Sequence, residues 1–320
     1  MVPYLGIEIG GTKLQLGVGP GDGSITRLVR LPVEPRLGAQ GIRSQIVLAS
    51  RDLLSGVAAV GIGFGGPVDV GRGIVLKSNQ IDGWDGFPLA DWVRTTLGIE
   101  SVTLQNDADT AALGEALFGA GRGLSPVLYV NSGSGIGGGL IIDGKIYRGS
   151  GHGAIEIGHL WMLDGVEPQS LEMIASGWSI ARKGQSLPEE EIVRGWDSGG
   201  ILAEVAGNPS MVTAATVALA ARRQPQGDAA RILEEAARIM GHALAHAVTL
   251  LAPRRIILGG GVSLIDEDLW LNPIRKALHE RVFGPFRGTY DVVTATLGED
   301  VVVHGALALA RQVSSDLGPQ

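Results

Sequence analysis

The sequence predicts an α/β fold built twice from one plan, and three observations carry that prediction. The stretch "YLGIEIGGTKLQLGVGPGDGSITRLVRLPV" reads as three strands separated by glycine turns. From residue 127, "VLYVNSGSGIGGGLIIDGKIYRG" repeats the order strand, glycine turn, strand, Asp-Gly turn, strand. Later, "RRIILGGGVS" echoes "AAVGIGFGGPV", each a buried apolar run that opens into a glycine loop. No Ser/Pro linker separates the halves, so the two lobes are expected to pack closely with a cleft between them.

The elements follow in order. Gly10-Gly11-Thr12-Lys13 splits the first two strands, and Pro20-Gly21-Asp22-Gly23 the next two. A helical pattern covers about 39–54, and a buried strand then ends in Gly65-Gly66-Pro67. "SVTLQNDADTAALGEALFGAG" is a strand running into a helix, with Ala111, Leu113, Ala116 and Leu117 toward the core and Gly119 or Gly121 as the stop. Two further helical segments, about 212–223 and 228–251, precede "RRIILGGGVS".

Bulk properties exclude several classes. A chain of 320 residues fits about two domains. The 45% apolar content fills sizeable cores. The net charge of −7, with no long basic run, argues against nucleic acid as the partner. No stretch approaches the length of an uncharged membrane span, and the N-terminus lacks a signal-peptide pattern, so a cytoplasmic location is expected. With 0 cysteines, disulfides, thiolate zinc sites and cysteine nucleophiles are excluded. The 50 glycines belong at turns and close backbone approaches.

Gly133-x-Gly135-x-x-Gly138 matches a dinucleotide-binding fingerprint, but that motif must open a helix whose N-terminus meets the pyrophosphate. Here "LIIDGKIYRG" follows, which alternates like a strand. A tight hairpin alone does not need glycine at 5 of the 7 positions from 133 to 139. Backbone N–H groups lining a concavity for phosphate oxygens account for the excess. Neither this loop nor Gly10-Gly11-Thr12-Lys13 has the P-loop spacing. Two glycine turns at matching places in matched halves are read as a clamp for one polyphosphate.

"GIEIGGTK", "GFGGPVD", "QNDADTAALGEA", "NSGSGIGGGLIIDGKIYRG", "IEIGH", "SLEMIASG" and "LGGGVS" occur in this order, and together they resemble the ROK family of sugar kinases and repressors. The resemblance spans nearly the whole chain. It implies the actin-like fold, a duplicated ribonuclease-H-like α/β unit in two lobes with an interlobe cleft. It also implies ATP-dependent hexose phosphorylation and a homo-oligomer, dimer or tetramer. Expected boundaries are 1–117 plus 305–320 for a small lobe and 118–304 for a large one. The first strand begins at about residue 4, so no repressor-type helix-turn-helix is expected ahead of it.

Phosphoryl transfer to a sugar hydroxyl needs positioning, electrostatics and a group to take the hydroxyl proton. Asp107 follows a strand and starts a helix, where it is either a cleft carboxylate or a helix cap. The resemblance matches Asn106 and Asp107 to the family's sugar-holding Asn and catalytic Asp, and a helix N-terminus favours an ionised carboxylate. By resemblance, Glu156, His159 and Glu172 bind sugar hydroxyls, Gly66 brings backbone close to the sugar, and Asn79 contacts it from the other lobe. From the residues alone, His159 also reads as a buried histidine and Glu172 as a surface charge. Trp84 either covers the site or packs. Glu8, Gly10, Gly11, Thr12, Lys13, Gly133, Ser134 and Gly135 match the phosphate side, with Ser134 in place of the family's Thr. Gly260 and Gly261 match the adenosine side. Mg²⁺ is expected with ATP, held largely by phosphate and water.

Three departures from the family pattern stand out. Glu8 replaces the usual Asp, whose carboxylate is expected near the Mg²⁺–phosphate region, and this leaves polyphosphate open as a donor. The interval "LWMLDGVEPQS" has none of the cysteines of the family's zinc cluster, so no structural zinc is expected and no metal-ligating residue is assigned. "HALAH" puts His242 and His246 at i, i+4 without the Glu of a zinc-protease motif, and both are read as core residues. Ile155 stands where many members have Gly. Glucose is the expected hexose; fructose, mannose, allose, an N-acetylhexosamine or a non-catalytic sugar-binding regulator stay open.

Overall fold

The structure, a computed structural model, describes residues 2–78, 80–150, 153–163, 167–193 and 201–316. Its strands are β1 (Tyr4–Ile9), β2 (Lys13–Gly19), β3 (Arg27–Pro32), β4 (Ala59–Phe64), β5 (Val68–Asp69), β6 (Ile74–Val75), β7 (Ser101–Asn106), β8 (Val127–Ser132), β9 (Ile136–Ile142), β10 (Lys145–Ile146), β11 (Trp161–Leu163), β12 (Pro168–Ser170), β13 (Arg255–Gly259) and β14 (Asp291–Thr294). Its helices are α1 (Gly38–Ser50), α2 (Leu89–Leu97), α3 (Asp107–Phe118), α4 (Leu171–Ala175), α5 (Gly177–Val193), α6 (Ile201–Ala206), α7 (Ala214–Arg223), α8 (Asp228–Leu251), α9 (Leu271–Arg281) and α10 (Val301–Asp316).

Two five-stranded sheets repeat one order, β3-β2-β1-β4-β7 and β10-β9-β8-β13-β14. In each, three successive strands come first and two strands reached by crossover follow. β1 pairs antiparallel with β2 and parallel with β4, and β4 is parallel with β7. In the second sheet β9 and β10 are antiparallel and β13 and β14 parallel.

Every residue of β1 and β4 is buried, as expected for central strands covered on both faces. A core of Ile7, Leu14, Leu16, Ile42, Ile62, Phe64, Trp84 and Val93 joins this sheet to α1 and α2. A second cluster, Tyr4, Ala59, Val303, Leu307 and Ala310, packs α10 against it. Trp84 is wholly buried, with Phe64 and Phe87 edge-on to its ring, so it packs the core.

The chain forms two compact units, one of Met1–Tyr129, Gly139–Ile155 and Thr296–Gln320, the other of Val130–Gly138 and Glu156–Ala295. Among the described residues no helix is long and apolar enough to cross a membrane. The core reading of the histidine pair needs correction: His242 is half-buried and His246 is exposed. His246 continues the outward stripe of Arg231, Glu234 and Arg238 along α8, each at helical spacing.

Candidate active site

Three chain segments carry the expected chemistry. The first is the β7–α3 junction. β7 lies beside β4 with Asn106 opposite Phe64, so the strand ends bring Asn106 next to the loop that follows β4. The backbone of Asn106 is extended, and its side-chain oxygen accepts from the amides of Ala108 at 2.9 Å and Asp109 at 3.3 Å. Asn106 is thus the N-cap of α3. Its Nδ2 donates to the Gly66 carbonyl at 3.1 Å, which leaves one amide hydrogen for a ligand. Capping is therefore the work of Asn106 rather than of Asp107. Asp107 is half-buried on the first turn, and its Oδ1 accepts from the Ala108 amide at 2.8 Å. A Cβ at Gly65 would lie 3.4 Å from Asp107 Oδ2, so Gly65 keeps bare backbone against that carboxylate.

The second segment is the β1–β2 turn. The Gly10 amide donates to the Lys13 carbonyl at 3.0 Å, and Thr12 is exposed at the tip. The Lys13 ammonium donates to the Glu299 carbonyl at 2.9 Å and lies 3.3 Å from Glu8. Glu8 is 6% exposed, and Gln15, its cross-strand partner, donates to it at 2.6 Å. Both Glu8 oxygens are therefore engaged from within the same unit, by Lys13 and Gln15. Sequence reasoning did not single out Gln15, although a second polar side chain opposite Glu8 in apolar strands was a usable signal. It also passed over Glu115. This fully buried carboxylate accepts from the amides of Ala120 at 2.7 Å and of Thr296 and Leu297 at 2.8 Å. Those bonds fix the approach to the Gly298–Asp300 turn, and so the carbonyl that receives Lys13.

Burial pushes the Glu8 carboxyl above the usual glutamate range, against the smaller opposing pull of Lys13 and Gln15. A folded value above the unfolded one means that Glu8 contributes stability below about pH 4.3, which is lost as pH rises through the folded value. Glu8→Gln is therefore expected to gain in Tm relative to the wild type as pH rises from about 4 to 7. Melting curves across that range check this; a constant gap in Tm would contradict it.

The third segment is the β8–β9 turn, which lies wholly in the second unit. The element after its glycines is the strand β9, as the alternating pattern implied. The Gly133 amide donates to the Gly135 carbonyl at 3.0 Å, and Ser134 is exposed at the tip. Gly177 donates to the Gly133 carbonyl at 2.8 Å, and Trp178 to that of Ser134 at 3.3 Å. Glu172 is half-buried on α4, and its Oε2 accepts from the Ile136 amide at 2.7 Å. Glu156 precedes the Ile157–His159 turn and His159 ends it; both are exposed, so His159 is not a core histidine. A Cβ at Gly158 would lie 2.1 Å from the Ile136 carbonyl, so this turn rests on the same hairpin. A Cβ at Gly260 would fall 2.6 Å from Asn131 Oδ1, which places the loop after β13 against β8; Gly261 is exposed beside it.

In this unit, then, Gly133, Ser134, Gly135, Glu156, His159, Glu172 and Gly260 gather about one hairpin. In the first unit, Gly65, Gly66, Asn106 and Asp107 gather about the β7–α3 junction, and Glu8, Gly10, Gly11, Thr12 and Lys13 about the β1–β2 turn. Asn79 lies outside the described residues. Among the described residues, no group of three or more His, Asp or Glu is placed to hold a metal ion.

The ROK family model matches residues 4–313. The glucokinase of Streptomyces coelicolor is 36% identical over 322 residues, covering 96% of this chain and 97% of the relative. The glucokinase of Thermotoga maritima is 31% identical over 325 residues, with 96% and 97% covered. Among solved structures, a ROK family glucokinase from Streptomyces griseus in complex with glucose and AMPPNP superposes with a TM-score of 0.79 at 35% identity, covering 97% of this chain and 99% of that one. The ROK hexokinase of Thermus thermophilus gives a TM-score of 0.80 at 26% identity, with 98% and 99% covered. The repeated sheet order is that of the actin-like fold these proteins share. On sequence over nearly its whole length, and on fold, the chain belongs to the ROK family.

Proposed function

We propose that the protein is an ATP-dependent hexose kinase that transfers the γ-phosphoryl group to the 6-hydroxyl of glucose. The whole-length likeness to glucokinases, one of them bound to glucose and AMPPNP, carries this reading. Glu156, His159 and Glu172, with the remaining amide hydrogen of Asn106, hold the sugar hydroxyls. Asp107 accepts the 6-hydroxyl proton as that oxygen bonds to the γ-phosphorus and the bond from phosphorus to the bridging oxygen breaks, releasing ADP. Backbone N–H groups of the turns at 10–13 and 133–135 bind phosphate oxygens, and the loop at Gly260 and Gly261 takes the adenosine side.

Mg²⁺ would arrive on the phosphates and keep most of its water, the usual mode for this ion. When bound, Mg²⁺ neutralises charge on the phosphate oxygens. Glu8, held by Lys13 and Gln15, orders the lysine beside the turn. A homo-oligomer acting in the cytoplasm completes this reading.

Coupled ADP release over glucose, fructose, mannose, allose and N-acetylhexosamines tests it, with phosphorylated-sugar formation read separately for polyphosphate as donor. The largest kcat/KM is expected for glucose with ATP. Preferred turnover of another pair would reassign the substrate or donor. Sugar binding without turnover of any pair would make the protein a regulator.

A further inference from the structure

Glu172 makes a bond that a sugar ligand does not need. Its Oε2 accepts from the Ile136 amide at 2.7 Å, on the hairpin read above as the phosphate cradle. The neighbouring residue is shaped for this contact: a Cβ at Gly135 would lie 2.5 Å from Glu172 Oε2 and 3.3 Å from its Cδ. The bond has close neighbours. Gly177 and Trp178, at the start of α5, donate to the Gly133 and Ser134 carbonyls, and a Cβ at Gly177 would lie 2.6 Å from Gly133 O. The Leu171 amide donates to the Leu160 carbonyl at 2.8 Å, tying α4 to the segment that carries Glu156 and His159. All of these residues belong to one unit.

The geometry points to Glu172 as a positioning residue that couples the two substrates, making nucleotide binding depend on bound sugar. This rests on the sugar-kinase reading and adds to it. Glu172 is half-buried, and a sugar hydroxyl on Oε1 adds a second hydrogen bond to a carboxylate that the Ile136 amide holds by Oε2. Held at both oxygens, the carboxylate keeps the Ile136 amide, and with it the Ser134–Gly135 turn, in one conformation. The first ligand bears the ordering cost, so the second binds more tightly. The coupling is reciprocal, and a factor of about ten lies within the usual range of 5–150.

Titration calorimetry of AMPPNP into the full chain, with and without saturating glucose, tests this. In the wild type, glucose is expected to tighten AMPPNP about tenfold, and AMPPNP to tighten glucose by the same factor. Two variants keep a carboxylate but break its bond to the hairpin. Gly135→Ala displaces the carboxylate by contact, and Glu172→Asp withdraws it by one methylene. In either variant the coupling is expected to fall below about twofold, with glucose and AMPPNP each binding more weakly alone. Circular dichroism identifies which variants fold, and either one suffices. Full coupling in a folded variant overturns the proposal, as does independent binding of both ligands to the wild type. Absence of glucose binding to the wild type overturns the sugar-kinase reading itself, a distinct result. A residue that only supported the fold would lower both affinities without changing the ratio measured with and without glucose.

Discussion

Asp107→Asn is expected to lower kcat by about 10²–10⁴-fold at saturating glucose and ATP, the usual worth of a general base. The amide matches the carboxylate in size and keeps an oxygen for the Ala108 amide, which now donates to Asp107 at 2.8 Å. The α3 cap is untouched, because Asn106 supplies it. Folding and sugar affinity should therefore change little, and the loss should fall on kcat. What the amide lacks is the ability to take a proton from a hydroxyl near neutral pH. Carboxylates near this junction already shape their surroundings: burial first, then the charges of Glu115, Asp107 and Glu8, pushes the Tyr129 hydroxyl upward and keeps it protonated. Tyr129 is therefore no substitute acceptor. Steady-state kinetics with an unchanged melting curve would support the role, and near-wild-type kcat would remove it.

What the sequence disclosed depended on how local the physics was. The hairpins at Gly10–Lys13 and Gly133–Gly135 were legible because apolar strands flank glycine runs, a signal confined to about twenty residues. The strand-to-helix junction at Asp107 was legible for the same reason. Ile155 was marked because the family resemblance puts Gly there in many members, and its φ of 61° lies in the left-handed region that disfavours β-branched side chains. It immediately precedes Glu156, so strain is held beside a proposed sugar ligand. The clamp behind Lys13 was not legible. Gln15 meets the Glu299 carbonyl across 284 positions and Glu115 meets Thr296 across 181, and no spacing rule reaches that far. Glu172 was read for its chemistry, but its bond to Ile136 depends on the tertiary path of the hairpin. His246 was misplaced because an i, i+4 pair on an apolar-looking helix does not say which stripe faces out.

Gly305→Ala is expected to destabilise the fold by about 3 kcal/mol, the upper end of the usual cost of overpacking. Helix propensity alone predicts the opposite sign, a gain of about 1 kcal/mol for alanine over glycine in a helix interior. Geometry decides between them. A Cβ at Gly305 would lie 1.8 Å from the Thr110 carbonyl oxygen and 2.7 Å from its carbon. These are backbone atoms of α3, so no rotamer change relieves the clash, and the helices must separate. They have nowhere to go, because α10 is equally close on its other side: a Cβ at Gly61 on β4 would lie 1.9 Å from the Ala306 carbonyl. For a body of this size the loss corresponds to a Tm drop of about 6–12 °C. Gly284→Ala is the control, since a Cβ there meets nothing within 4 Å and Tm should stay near the wild-type value. The consequence reaches the site. α10 begins directly after the Gly298–Asp300 turn, whose Glu299 carbonyl receives both Lys13 and Gln15. Shifting α10 loosens that carbonyl and the Lys13–Glu8 pair beside the turn read as the phosphate cradle. Gly305→Ala should therefore raise KM for ATP more than KM for glucose, even at temperatures where the variant remains folded. Equal changes in both constants would show that α10 supports the fold alone.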